Sequence, residues 1–171
     1  MKRLLLSVLL VWSFITVAFG QDLVLINDSI NKFQIGIPVG WRYGVPADKS
    51  GIFMAYRQKI DSADVPSEVV LISIFHHKET DLTKEYKNFL NTISQRKGFK
   101  VLEEEDKILG NRQYKYLVEI HTNAESSVEM TDCILLSDND GEILMLTMAT
   151  KSENIKKYRQ LFDKIADSFR R

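Results

Sequence analysis

Cysteine is almost absent from this chain: Cys133 stands alone. A single thiol excludes an internal disulfide and a zinc cage built from cysteines. Proline is nearly as scarce, and its 3 residues, Pro38, Pro46 and Pro66, all lie in the first half. No proline-, glycine- or serine-rich linker, internal repeat or low-complexity tract interrupts the chain, which argues against a disordered or collagen-like organisation. Neither sign of charge dominates, since 23 Lys and Arg balance 23 Asp and Glu. That balance argues against non-specific nucleic-acid binding, which needs a basic footprint. What is present is 171 residues, 44% hydrophobic and 27% charged, an ordinary globular composition.

The longest apolar run lies at the start. Met1-Lys2-Arg3 is followed by Leu4 to Val17, which carries no charge, and then by Ala18-Phe19-Gly20. A basic start, an apolar segment and small residues where a signal peptidase reads them make a secretory signal, with cleavage expected before Gln21. The run is shorter than the roughly 20 residues of a membrane span. The expectation is an exported chain, periplasmic or extracellular, with residues 1–20 as signal and 21–171 as one domain. No stable membrane span is expected after cleavage. Cleavage removes Lys2 and Arg3 and no acid, so the mature chain is slightly acidic. Without disulfides the core must carry the stability, and Cys133 is expected to be buried and inert.

Short alternating segments fill the remainder. Leu23 to Ile26 reads as a strand and Asn27-Asp28-Ser29 as a turn. Phe33, Ile35 and Ile37 alternate with Gln34 and Gly36, a strand period that Pro38-Val39-Gly40-Trp41 ends. Ile52 to Arg57 reads as a strand and Ile60 to Ser67 as a loop. Val69 to Phe75 is nearly all apolar or β-branched, the pattern of a strand covered on both faces. Asp81 is placed to cap a helix over Leu82 to Lys97, with Leu82, Tyr86, Phe89, Leu90 and Ile93 as its apolar stripe and Gly98 as its stop.

Strands are expected over residues 100–109, 112–122, 126–136 and 142–149, turned by Gly110-Asn111 and by Asp138-Asn139-Asp140-Gly141. In the second of these, Tyr114, Tyr116, Val118 and Ile120 alternate with Lys115 and Glu119. Thr150 and Glu153 match a capping box before a last helix whose apolar face carries Ile155, Tyr158, Leu161, Phe162, Ile165 and Phe169. Hairpin-length connections after Gly98 imply antiparallel pairing. The predicted class is α+β, an antiparallel sheet of six to seven strands flanked by two helices.

Two stretches carry more than periodicity. One is Phe33-x-Ile35-x-Ile37-Pro38-x-Gly40-Trp41. The other begins Ala149-Thr150-Lys151-x-Glu153 and continues through Tyr158, Phe162 and Ile165 to Ser168-Phe169. With one helix and a meander between them, they resemble the PsbP-like family, which includes the DcrB-type envelope proteins. The resemblance implies an α/β/α sandwich and an accessory or binding domain in place of an enzyme. Chloroplast members of that family support photosystem assembly or function, and a nuclear relative binds a small GTPase. No metal or partner site of the family matches here residue by residue.

Three fragments and a few titratable residues come near known catalytic or metal motifs. Ser94-x-x-Lys97, Ser137-Asp138-Asn139 and Lys49-Ser50-Gly51 imitate a penicillin-recognising serine enzyme, but Ser94 falls at the end of its helix and the order is wrong. His76 and His77 are adjacent, so on a strand they point to opposite faces. His121 could join one of them in space, but a metal site there would need Asp or Glu from elsewhere; solvated strand-end histidines are expected. Asp138-x-Asp140-Gly141 lacks the rest of a calcium loop. Glu103-Glu104-Glu105-Asp106 on a strand implies an edge, where charge also discourages unwanted pairing. Asn27, Ser29 and Ser62 fit glycosylation patterns.

The leading reading is a secreted, non-catalytic binding or accessory protein of the cell envelope, with a protein partner and no cofactor. Its contact is expected in the segment Pro38 to Pro46, where Trp41, Arg42 and Tyr43 gather the side chains that usually anchor interfaces. Trp41 also suits a plug over the edge of the core. The alternatives are a small-ligand carrier with a pocket between helix and sheet, and an enzyme without a recognisable motif, centred on His76 or His77 together with His121.

Overall fold

A computed structural model of the chain describes residues 22–76, 81–109, 112–139 and 142–170. Residues 1–20, which are expected to be a signal, His77, the Gly110-Asn111 turn and the Asp140-Gly141 half of the last hairpin turn lie outside the described residues. The chain opens with a hairpin, β1 (Leu23–Asp28) against β2 (Phe33–Pro38). The expected turn at Asn27 starts later, because Asn27 and Asp28 pair with Gln34 and Phe33. Asp28 then shapes the turn, its carboxylate accepting from the Ile30 and Asn31 amides.

There follow β3 (Arg42–Gly44), β4 (Phe53–Tyr56), β5 (Val69–His76), α1 (Leu82–Ile93), β6 (Lys100–Leu109), β7 (Arg112–Thr122), β8 (Glu129–Asn139), β9 (Glu142–Lys151) and α2 (Ile155–Ser168). The main sheet has 7 strands in the order β3-β4-β5-β9-β8-β7-β6. Each neighbouring pair is antiparallel. The β1–β2 hairpin stays outside this sheet as a 2-stranded one. Its tie is to the chain's end, where Gln34 and Arg170 exchange backbone hydrogen bonds of 2.7 and 2.8 Å.

The alternation within β7 shows how the layers stack, since successive side chains of a strand point to opposite faces. Tyr114, Tyr116 and Val118 pack with Tyr158, Phe162 and Ile165 of α2 and with Phe33, Ile35 and Ile37 of the hairpin. Leu117, between them, packs with Tyr86 and Ile93 of α1. The architecture is therefore an α/β/α sandwich, with α2 and the hairpin on one face and α1 on the other. Cys133 lies in the α2-side core, where burial pushes its thiol up to about 11.

Several local expectations change. Asp81 caps α1 by accepting from the Thr83 and Lys84 amides, as its spacing implies. The helix ends at Ile93, short of Lys97, and Gly98 takes the positive φ of 70° in the turn that follows. No capping box forms at α2. Thr150 still belongs to β9, and its hydroxyl donates to buried Glu68 at 3.0 Å; a short 3-10 turn, Ser152–Asn154, leads into the helix instead. The second face of β5 is only partly covered, leaving Phe75 42% exposed, because α1 sits over β7 and β8.

Gly51 is a packing requirement. Ile52 donates its amide to the Ile72 carbonyl and Ser73 donates its hydroxyl to the Ser50 carbonyl, so the chain lies flat against β5. A Cβ on Gly51 would overlap that Ile72 oxygen. Gly51→Ala should lower the unfolding free energy in urea by about 1–3 kcal/mol, the usual cost of overpacking.

Candidate functional site

Two regions of the sandwich bring chemistry-bearing residues together. The first is the β3 edge. Gly40, with φ of 86°, turns the chain after β2, and Trp41 drops into the core at 6% exposure, in the cluster that also holds Phe53 and Tyr158. Arg42 and Tyr43 follow on exposed backbone of the three-residue β3. Tyr43 is 53% exposed and stacks on Phe53 with centroids 6.1 Å apart. Of the three residues expected to make contact, the structure buries Trp41, which corrects that expectation, and leaves Arg42 and Tyr43 outside. Val39, Val45, Tyr56 and Val65 add exposed apolar surface nearby.

The loop after β4 is fastened over this edge. Arg57 holds Asp64 through both terminal nitrogens and Glu68 through Nε at 2.6 Å. Burial works against ionisation of Glu68, but Arg57, the Ser67 amide and Thr150 outweigh it and keep the carboxyl below its ordinary range. The Arg57 hydrogen bonds hold Asp64 down at about 2. Gln58 reaches back to the Gly40 carbonyl at 3.1 Å. The result is a cleft of about 580 Å³ between Arg42, Tyr56, Gln58, Lys59 and Val65.

The second region is a polar cluster beneath the exit of α1. Glu119 and His121 stand two apart on β7 and so share a face, and Asp132 of β8 is paired directly with Glu119. Glu119 is fully buried and Asp132 is nearly so. His121 Nδ1 lies 3.0 Å from Glu119 Oε1 and 3.9 Å from Asp132 Oδ2. Arg96, in the turn after α1, donates through Nη1 to Glu119 at 3.0 Å and to Asp132 at 3.4 Å. Thr122 donates its amide to the Lys97 carbonyl at 2.7 Å, which pins that turn to β7.

Burial, reinforced by the Asp132 charge, pushes Glu119 up to about 7. Burial likewise raises Asp132 and lowers His121. The cluster therefore holds more negative charge than its surroundings favour. The other carboxylate oxygen of Glu119, Oε2, is buried and accepts no hydrogen bond from the protein. Glu119, His121 and Asp132 each offer a donor atom, all within 4.8 Å of one another, and are the residues able to hold a metal ion among those described.

This cluster was not expected from sequence. The β7 alternation sets Glu119 with Lys115 on a polar face, whereas α1 covers that face at Leu117 and Glu119. The available signal was Glu119-x-His121 within one strand; Asp132 joins it only through the β7–β8 register. His76 does not join. Its partners in the sheet are Glu142 and beyond it Asn139, whereas Val69, seven residues away, lies in the row of Asp132 and Glu119; at about 3.3 Å per residue the separation is roughly 20 Å. At the opposite edge, the acidic run on β6 is an edge strand as expected, with Glu103 on Arg159, Glu105 on Lys107 and Asp106 on Lys115. Asn27, Ser29 and Ser62 are all exposed.

A seven-stranded antiparallel sheet between α1 on one face and α2 with a hairpin on the other defines the PsbP-like class of fold. The PsbP family model matches residues 21–171, and the chain belongs to that family. The fold is shared with cyanobacterial PsbP (CyanoP) from Synechocystis sp. PCC 6803, at TM-score 0.64 and 16% identity over 88% of this chain and 92% of that one. It is shared also with LpqN of Mycobacterium tuberculosis, a protein involved in cell envelope biogenesis, at TM-score 0.64 and 12% identity over 86% and 88%. The Ran-binding protein Mog1p of Saccharomyces cerevisiae superposes at TM-score 0.61 and 9% identity over 88% and 96%. No curated protein matches the chain by sequence.

Two predictions follow from the β3 edge. Trp41→Ala should cost about 3–5 kcal/mol in urea unfolding, as expected for a buried aromatic, whereas Arg42→Ala should stay within about 0.5 kcal/mol. Asp64 has its folded pKa depressed, so its stabilisation is complete above the ordinary value of 3.8 and is lost as pH falls through about 2. Thermal melts of Asp64→Asn should therefore fall less steeply over that acid window than those of the parent protein.

Proposed function

We propose that the chain is an exported, non-catalytic binding protein of the cell envelope that engages a protein partner through its β3 edge. The observation that carries this reading is the composition of that edge. Exposed Arg42, Tyr43, Val45 and Tyr56 lie on a scaffold fixed by buried Trp41 and by the Arg57 clamp. Clustered exposed apolar surface with aromatics and Arg is the usual signature of an interaction site. A short strand with an unpaired outer edge also leaves backbone groups open to a partner. The envelope role of LpqN and the Ran binding of Mog1p support a binding role on this fold, without naming a partner here. Export rests on Lys2-Arg3, the apolar run to Val17 and Ala18-x-Gly20. No helix among the described residues is long and apolar enough to cross a membrane.

A second reading, a carrier of a small apolar ligand, draws on a groove of about 420 Å³ between α1 and the sheet. Phe75, Phe89, Ile93, Leu136, Ile143 and Met145 line it, and the volume is within the range of ligand pockets. Native mass spectrometry of protein taken from its own host separates the two: the carrier reading needs a co-purified small molecule of constant mass.

The partner reading is tested by mild crosslinking in the native envelope. The parent protein, with its mature N-terminus at Gln21, should capture one stoichiometric protein. Arg42→Glu combined with Tyr43→Ala should lose it, with a melting curve that still shows a folded protein. Retention by the double variant would remove the β3 edge as the contact, and absence of any stoichiometric partner would remove the reading.

A further inference from the structure

We propose that Glu119, His121 and Asp132 form a binding site for one divalent transition-metal ion of the zinc class, with the Arg96 guanidinium standing over it as a displaceable cation. The inference is independent of the β3 edge. Three features of the cluster carry it.

The first is geometry. The three side chains share one sheet face, and their donor atoms lie within 4.8 Å of one another. Ligands on a tetrahedral zinc ion with bonds of about 2.0–2.1 Å stand roughly 3.3 Å apart. The separations of 3.0 Å from His121 Nδ1 to Glu119 and 3.9 Å to Asp132 bracket that value.

The second is the unmatched oxygen. Glu119 has no exposed side-chain surface, yet its Oε2 accepts no hydrogen bond from the protein. A buried carboxylate oxygen left without a partner is costly. Arg96 reaches both carboxyl groups through the single atom Nη1, at 3.0 and 3.4 Å, and leaves Oε2 unserved. A divalent ion supplies a second positive charge and a bonding position at the carboxylate itself.

The third is access. The Arg96 side chain is 40% exposed, so it can leave without unfolding anything. Beside it opens a cleft of about 400 Å³ lined by Arg96, Lys97, His121, Thr122 and Asn123. Of the proposed ligands His121 lines that cleft, which gives an ion a way in beside Arg96. One imidazole and two carboxylates suit zinc and its neighbours, and disfavour Cu(I), which seeks sulfur.

The test uses the full mature protein without a polyhistidine tag, stripped with chelator and titrated with zinc chloride by calorimetry. One ion per chain is expected. His121→Gln and Asp132→Asn should each weaken binding by at least about ten-fold, the lower bound for changes even in the outer shell of a metal site. Arg96→Met removes the competing cation and should tighten binding several-fold. A second readout avoids substitution: among the 3 histidines of the chain, zinc should shift the imidazole NMR signals of His121 alone. No binding, zinc shifts at His76 or His77 with His121 unmoved, or weaker binding by Arg96→Met would each overturn the proposal.

Discussion

Burial of β7 and β8 on both faces is the constraint from which most of this structure follows. In a sheet with one open face, every second side chain can be polar at no cost. Here α2 and the hairpin take one face of β7 and α1 takes the other, so Glu119 goes inside with Leu117. The β7–β8 register then sets Asp132 directly beside it. Two adjacent buried carboxylates are tolerable only with compensation. That compensation comes from Arg96, which can reach them because α1 stops at Ile93 and the Thr122–Lys97 hydrogen bond draws the turn onto the strand. Slipping the β7–β8 register by one residue would turn either carboxylate to the opposite face and separate the pair. Sheet register, helix length and charge balance are thus one coupled choice.

The two edges of the sheet answer the exposed-edge problem in opposite ways. At β6 the acidic run is neutralised in place: Arg159 of α2 grips Glu103 with two hydrogen bonds of 2.8 and 2.9 Å, and Lys115 reaches Asp106. That edge is long, charged and strapped to a helix, which discourages pairing. At β3 the strand is only 3 residues, and its neighbours are valines and tyrosines. Shortness protects it from indiscriminate sheet extension, while the side chains remain available for specific contact.

Much of the fold was legible because strand and helix periods survive wherever a face is uniformly apolar. Phe33, Ile35 and Ile37, the stripe of α1 and the face of α2 all pack as their spacing implies. Asp81 was legible as a cap because its partners are local. Thr150 was not, because its actual partner, Glu68, is 82 positions away in sequence and enters only through the β5–β9 pairing. The same reason hid the polar cluster: Glu119 and His121 are two apart, but Asp132 and Arg96 arrive through register and helix termination. Trp41 shows the limit of residue type. Trp, Arg and Tyr in succession suggest an interface, and it is the preceding turn, closed by the Trp41 amide on the Pro38 carbonyl, that sends the first inward.

The β3 edge and the polar cluster lie on one row of the sheet. Arg42 pairs with Tyr56, Tyr56 with Val69, Val69 with Ala149, Ala149 with Asp132 and Asp132 with Glu119. Strands spaced by about 4.8 Å put the ends of that row roughly 24 Å apart. A partner footprint of ordinary size, about 800 Å² per side, is nearly 30 Å across. Strand alternation sends Arg42 and Tyr56 to the α1 face and Tyr43, stacked on Phe53, to the α2 face. A partner seated on Arg42 and Tyr56 along the α1 face therefore extends to the mouth of the Glu119–Asp132 cluster, whereas one seated on Tyr43 does not. The face that a partner chooses at β3 decides whether the two regions act as one surface or as two.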